Sequence, residues 1–182
     1  MINKRGALAV KIFINLDKNK NHMQQWANYF LATGGASAAL TGLIFVSVSL
    51  NLKRILSIPH LPGRALGSLV LLTNILFVSS FCLIPGQLFV WLGCEILAFG
   101  IIIWFMTTRM DIKIYKSVEN QYKKHYFRNL FFTQFAVVPY LVAGVCLVLK
   151  LDIGFYWLIP GITFSFIKAL LDSWVLLVEI NR

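Results

Sequence analysis

The sequence predicts an all-α fold: a polytopic membrane bundle of five transmembrane helices, with the N-terminus outside and the C-terminus cytoplasmic. Five apolar stretches, at residues 26–50, 65–84, 88–108, 130–149 and 154–180, fill most of the 182-residue chain, and each holds 20 residues or more. A helix of that length crosses the ~30 Å hydrocarbon core of a bilayer. The chain is also 58% hydrophobic and 13% charged, whereas soluble domains average about 45–50% apolar and about 25% charged. The Lys and Arg residues of the spanning domain collect between the stretches. The net charge of +10 therefore points to anionic lipid headgroups as partners and away from nucleic acid.

Residues 1–25 form an N-terminal tail carrying Lys4, Arg5, Lys11, Lys18 and Lys20, and residues 26–182 form one spanning domain. The stretches exceed the apolar core of a secretory signal peptide, so the first is expected to be retained. The charges of the tail disfavour its export. Initiation at Met23 would leave a short uncharged tail that exports easily. A rival reading keeps residues 6–16 as an interfacial helix and places the N-terminus inside.

The first span contains Gly34, Ala38 and Gly42, small residues at every fourth position. Such a pattern lets a second backbone approach closely. It predicts a packing seam, either against another span of this chain or against a second copy. After it comes Leu56–Arg64, with two prolines and a glycine. These predict the absence of a regular helix, a turn at Pro62-Gly63, and Arg64 at the headgroups. Spans two and three then form a tight hairpin through Pro85-Gly86-Gln87.

The connections set the orientation. Residues 51–64 carry Lys53, Arg54 and Arg64. Residues 109–129 carry Arg109, Lys113, Lys116, Lys123, Lys124 and Arg128 against Asp111 and Glu119, while the other two connections are nearly neutral. Both basic loops fall on one side, and the positive-inside rule makes that side cytoplasmic. Within the second loop Tyr115, Val118, Tyr122 and Tyr126 follow helical spacing. Two readings fit: a basic amphipathic helix on the inner leaflet, or a solvated extension of spans three and four. Trp26, Tyr29, Trp91, Tyr156 and Trp157 fall near the outer ends, and Trp104 and Trp174 toward the inner side, as an aromatic belt does. The last stretch is too long to cross untilted, and Pro160-Gly161 predicts a kink.

Ionisable and amide side chains inside spans are costly, which makes Asn74, Glu95, Lys168 and Asp172 the candidate functional residues; Gln134 lies nearer an inner end. Lys168 and Asp172, four apart, share a helix face suited to an ion pair. Glu95 lies ~11 Å and Lys168 ~21 Å below the outer boundary at helical rise. Snorkelling predicts one charge cluster of Glu95, Lys168 and Asp172 between spans three and five. Cys82, Cys94 and Cys146 read as small core side chains. His22, His60 and His125 have no partner spacing, and no metal, nucleotide or nucleophile motif appears. The chain reads as a protein without catalytic activity, cofactor or metal. It would act by packing with itself or with another membrane protein; the alternative is an oligomeric ion channel or small transporter whose path Asn74, Glu95 and Lys168 line.

The residues from Ala36 to Val46, Ser49 to Leu52, Leu61 to Ala65 and Pro85 to Gln87 resemble a family of small, largely uncharacterised bacterial integral membrane proteins. The resemblance covers roughly residues 26–108 and returns near Trp174–Glu179. It implies a multi-pass protein of the bacterial inner membrane, and some members are labelled modulators of a membrane-anchored ATP-dependent protease. The run Ser37–Gly42 followed by Asn51 is also similar to the pore-lining first span of store-operated calcium channels. Leu50 and Asn51 stand where those channels carry their acidic ring.

Overall fold

The computed structural model describes the backbone of residues 4–58, 61–117 and 123–181, and the side chains of 26–58, 61–113, 115 and 129–178. The described chain forms six helices: α1 (Lys4–Leu50), α2 (Leu52–Ser57), α3 (Leu61–Cys82), α4 (Phe89–Ser117), α5 (Lys123–Val148) and α6 (Ile153–Asn181). Five segments are long and apolar enough to cross a membrane: Trp26–Leu50, Leu61–Cys82, Phe89–Lys113, Asn129–Val148 and Ile153–Val178. The five predicted spans are present, with ends shifted by a few residues. A bilayer leaves no water for backbone amides and carbonyls, so each crossing closes its own hydrogen bonds as a helix.

Helices α3, α4, α5 and α6 form a ring in which each packs on the next and α6 returns to α3. Consecutive helices run antiparallel, as short connections require. Helix α1 lies outside this ring, packed mainly on α3. Only 11% of the most apolar window of its span is buried, against 33–50% for the other four. The ring encloses Leu72, Ile75, Leu92, Ile96, Val137, Leu147, Leu158 and Ile162. Lipid is as apolar as these side chains, so their packing is held by close van der Waals fit and a few interhelical hydrogen bonds.

The tightest fit lies between α4 and α5. A methyl group on Gly93 would meet the Gly144 carbonyl oxygen at 2.9 Å and the Val148 nitrogen at 2.6 Å; one on Gly144 would meet the Gly93 carbonyl at 3.2 Å. Two glycines, each bare of Cβ, thus let the backbones touch. About three turns further along the same two helices, the Gln134 amide bridges them, accepting from the Trp104 indole at 2.7 Å and donating to Thr108 at 3.1 Å. At the neutral end of the bundle Trp26 stacks on Phe155 and meets Tyr156 edge-on, joining α1 to α6. Gly86, at φ 73°, turns the chain between α3 and α4.

One expectation about the connections needs correction. Residues 56–64 are not wholly irregular. Residues 52–57 close one and a half turns as α2, and α3 starts at Leu61 with Pro62 and Gly63 in its first turn, where a proline loses no helical hydrogen bond. Residues 59–60 lie outside the described residues. The basic segment 109–129 does not form a separate surface helix over its described part: α4 continues to Ser117 and α5 begins at Lys123, which is the extension reading. Residues 118–122, with Val118 and Tyr122, lie outside the described residues. Helices α5 and α6 each carry a proline within the helix, Pro139 and Pro160, and both remain helical through it; this bears on helix continuity and leaves the bend at Pro160-Gly161 an expectation of the sequence. The tail is helical from Lys4 as a continuation of α1.

Candidate functional site

A polar cluster sits inside the four-helix ring, at the end that carries α2 and the α4–α5 connection. Each helix delivers its part from a predictable register. Lys168 and Asp172 are one turn apart on α6, and the Lys168 ammonium donates to Asp172 Oδ2. Arg64, in the first turn of α3, places Nη1 3.7 Å from Asp172 Oδ1. All three are buried, with 8% of Arg64, 5% of Lys168 and 4% of Asp172 exposed. At this depth an unpaired charge is prohibitive, so the two cations and the carboxylate depend on one another.

Asp111, near the end of the α4 span, adds a second carboxylate. Its Oδ1 accepts a long hydrogen bond of 3.4 Å from the Asn129 amide of α5. Its Oδ2 is buried without a hydrogen-bond partner among the described residues. Lys168, Asp172, Arg64 and Thr133 share one lining with this carboxylate. With two acids and two bases the cluster is formally neutral, which is what a low-dielectric site requires. These groups line a cavity of about 20 Å³ together with Gly63, Gly67 and Thr107. Among the described residues no group of three or more His, Cys, Asp or Glu side chains could hold a metal ion.

The cluster differs from the predicted one. Glu95 is not part of it: its Oε2 accepts from the Gln87 amide at 2.6 Å at the opposite end of the bundle. Gln87 lies just before α4 and so reaches Glu95 without any snorkelling. Arg64 takes the place assigned to Glu95, with its side chain buried among the helices where the sequence predicts it at the headgroups. The helical start at Leu61 draws it into the bundle, where Asp172 holds it. Asp111 follows the apolar stretch by three residues, which places it in a connection by sequence alone. The signal that could have found it is that Arg64, Asp111, Asn129 and Asp172 all fall near span ends on the same side.

Asn74 is fully buried at mid-span, and neither its Nδ2 nor its Oδ1 has a hydrogen-bond partner among the described residues. It lies near the Tyr140 hydroxyl, which donates to Ser165 Oγ at 3.3 Å. The predicted seam splits. Gly34 is buried with Ser79 Cβ 3.2 Å from where its methyl would be, whereas Ala38 is exposed and Gly42 has nothing within 4 Å. A four-residue step overshoots one turn by about 40°, so the row drifts off any straight contact line. The glycines in close helix contact, Gly93 and Gly144, were not singled out, because they lie on different spans and only the fold pairs them. Lys53, Arg54, Arg109 and Lys113 are exposed at the cluster end, Arg109 with its guanidinium 4.0 Å from the Phe105 ring centre. The side chains of Lys116, Lys123 and Lys124 lie outside the described residues. Cys82 is buried, but Cys94 is exposed on the apolar surface.

The fold and the neutral cluster define a multi-pass α-helical membrane protein whose buried charges at one end are paired with one another. No family model, curated protein or solved structure matches the chain.

Proposed function

We propose that this is a non-enzymatic protein of the bacterial inner membrane, N-terminus outside, that works through helix packing and joins a second copy of itself along α1. The observation that carries this reading is the outward face of α1. There Gly35, Ala38, Ala39 and Gly42 are exposed, and nothing lies within 4 Å of a methyl built on Gly35 or Gly42. Lipid contacts gain little from such small residues, while a second helix can approach them closely. Helix α1 is also the one span outside the ring, so it can take a partner without disturbing the packed core. The family resemblance adds a membrane-anchored ATP-dependent protease as a partner class, which co-purification from native membranes tests.

A conducting path through Asn74, Glu95 and Lys168 has less support. Asn74 and Lys168 are enclosed within one chain's ring, and Glu95 stands at the other end.

The test is the mass of the intact complex in mild detergent. Wild type is expected as a dimer or larger closed assembly. Gly42→Leu is expected as a monomer with an unchanged melting temperature. A wild-type monomer at every concentration would overturn the reading, and ion flux in vesicles abolished by Glu95→Gln would replace it with the channel.

A further inference from the structure

We infer that the cavity among α3, α4, α5 and α6 is a one-sided water inlet that opens at the end carrying α2 and delivers water to Asp111 and Lys168. This inference stands apart from the proposed role of α1. Four observations converge on it. The rim and the floor differ: Gly63, Met110, Asp111 and Asn129 are part-exposed, whereas Arg64, Thr107, Lys168 and Asp172 are buried. The opening is therefore on the rim side, where α3 and α5 begin and the α4 span ends. Gly63 and Gly67, one turn apart, add no side chains to the α3 wall that they form with Arg64 and Leu71, and nothing lies within 4 Å of a methyl built on Gly67. The volume of about 20 Å³ exceeds the ~10–15 Å³ that one water needs.

The lining also gives a water its partners. Asp111 Oδ2 is a buried acceptor without a hydrogen-bond partner among the described residues. The Lys168 ammonium carries three N–H donors, of which one is directed at Asp172. A water accepting from Lys168 and donating to Asp111 satisfies the free carboxylate oxygen and one of the two remaining ammonium donors, and buried waters have two to four such partners. Beyond the floor the ring closes on Leu72 and Ile75, each fully buried, so the inlet ends inside the bundle. It brings water to an acid–base pair at membrane depth from one side only.

Site-directed thiol labelling tests this on the full chain in sealed vesicles of both orientations, with a membrane-impermeant charged methanethiosulfonate and peptide mass mapping. Lys53→Cys, exposed on α2, marks the side. Val78→Cys, in the apolar core, marks the unreactive limit. Gly67→Cys is expected to be modified from the Lys53 side alone. Its rate should exceed that of Val78→Cys by about tenfold or more, since only a hydrated thiolate attacks. Asp111→Leu, which fills the mouth with an apolar side chain, is expected to slow that modification by a similar factor. Should Gly67→Cys fail to fold, Met110→Cys on the opposite rim reports the same mouth. Modification as slow as at Val78→Cys, from the other side, or from both sides equally would overturn the inlet; an unchanged rate in Asp111→Leu would remove Asp111 from its mouth.

Discussion

Arg64 and Asp172 stand 3.7 Å apart, and through that contact the first turn of α3 is tied to the final third of α6. The same carboxylate accepts from Lys168 on its other oxygen. One aspartate therefore holds two buried cations, and the four-helix ring is closed at this end by charge as well as by shape.

Removing that carboxylate is the harshest single change available at the cluster. Asp172→Ala removes the carboxylate that faces both Arg64 and Lys168 and leaves the cluster with one acid for two buried cations, and the expected loss is on the order of 3–5 kcal/mol. Replacing both Lys168 and Asp172 by leucine should cost less than Asp172→Ala, because no orphan charge from that pair remains. Unfolding of the purified protein in mixed micelles measures both. A double variant no more stable than the single one would refute the coupling.

Glu95→Gln should be mild. Glu95 is part-buried and has a single described partner, the Gln87 amide; a neutral amide can still accept that hydrogen bond. The expected change is within about 1 kcal/mol, with normal yield and melting. A collapse of folded protein in Glu95→Gln would mean that Glu95 holds charges beyond Gln87.

Glycines should divide by position rather than by motif. Gly144→Ala presses a methyl to 2.6 Å from the Leu97 side chain and 3.2 Å from the Gly93 carbonyl. It should cost about 1–3 kcal/mol, the usual range for overpacking a fitted core. Gly42→Ala meets open space and should leave the melting temperature of the isolated chain within error. Equal effects at the two sites would place the α4–α5 contact in doubt.

Asn74→Leu offers a test with an unusual sign. The Asn74 amide is fully buried and makes no hydrogen bond of ordinary geometry among the described residues, with the Tyr140 hydroxyl as its nearby polar group. Its exchange for an apolar side chain of similar length removes a desolvated group worth about 1–3 kcal/mol. Stability should hold or rise. A clear loss in thermal or denaturant unfolding would show that the Asn74 amide makes an interaction that Leu cannot replace.

Much of the architecture is legible in the chain itself. The number of spans and their approximate ends follow from apolar length, because the bilayer thickness sets a fixed ruler and the backbone must satisfy its own hydrogen bonds. The Lys168–Asp172 pair is equally local: four residues on one helix bring the two together whatever surrounds them. Only tertiary structure decided the rest. Which charges meet depends on which helices neighbour one another, and inside lipid no hydrophobic gradient along the sequence encodes that choice. So Arg64 turned inward to Asp172, Glu95 stayed with Gln87, and Asp111 joined the cluster from beyond the apolar stretch. Gly93 found Gly144 across 51 positions, while the more conspicuous row Gly34, Ala38, Gly42 divided between an inner and an outer face. Close packing selects partners by shape in three dimensions, and that information is spread over four helices rather than written in any one of them.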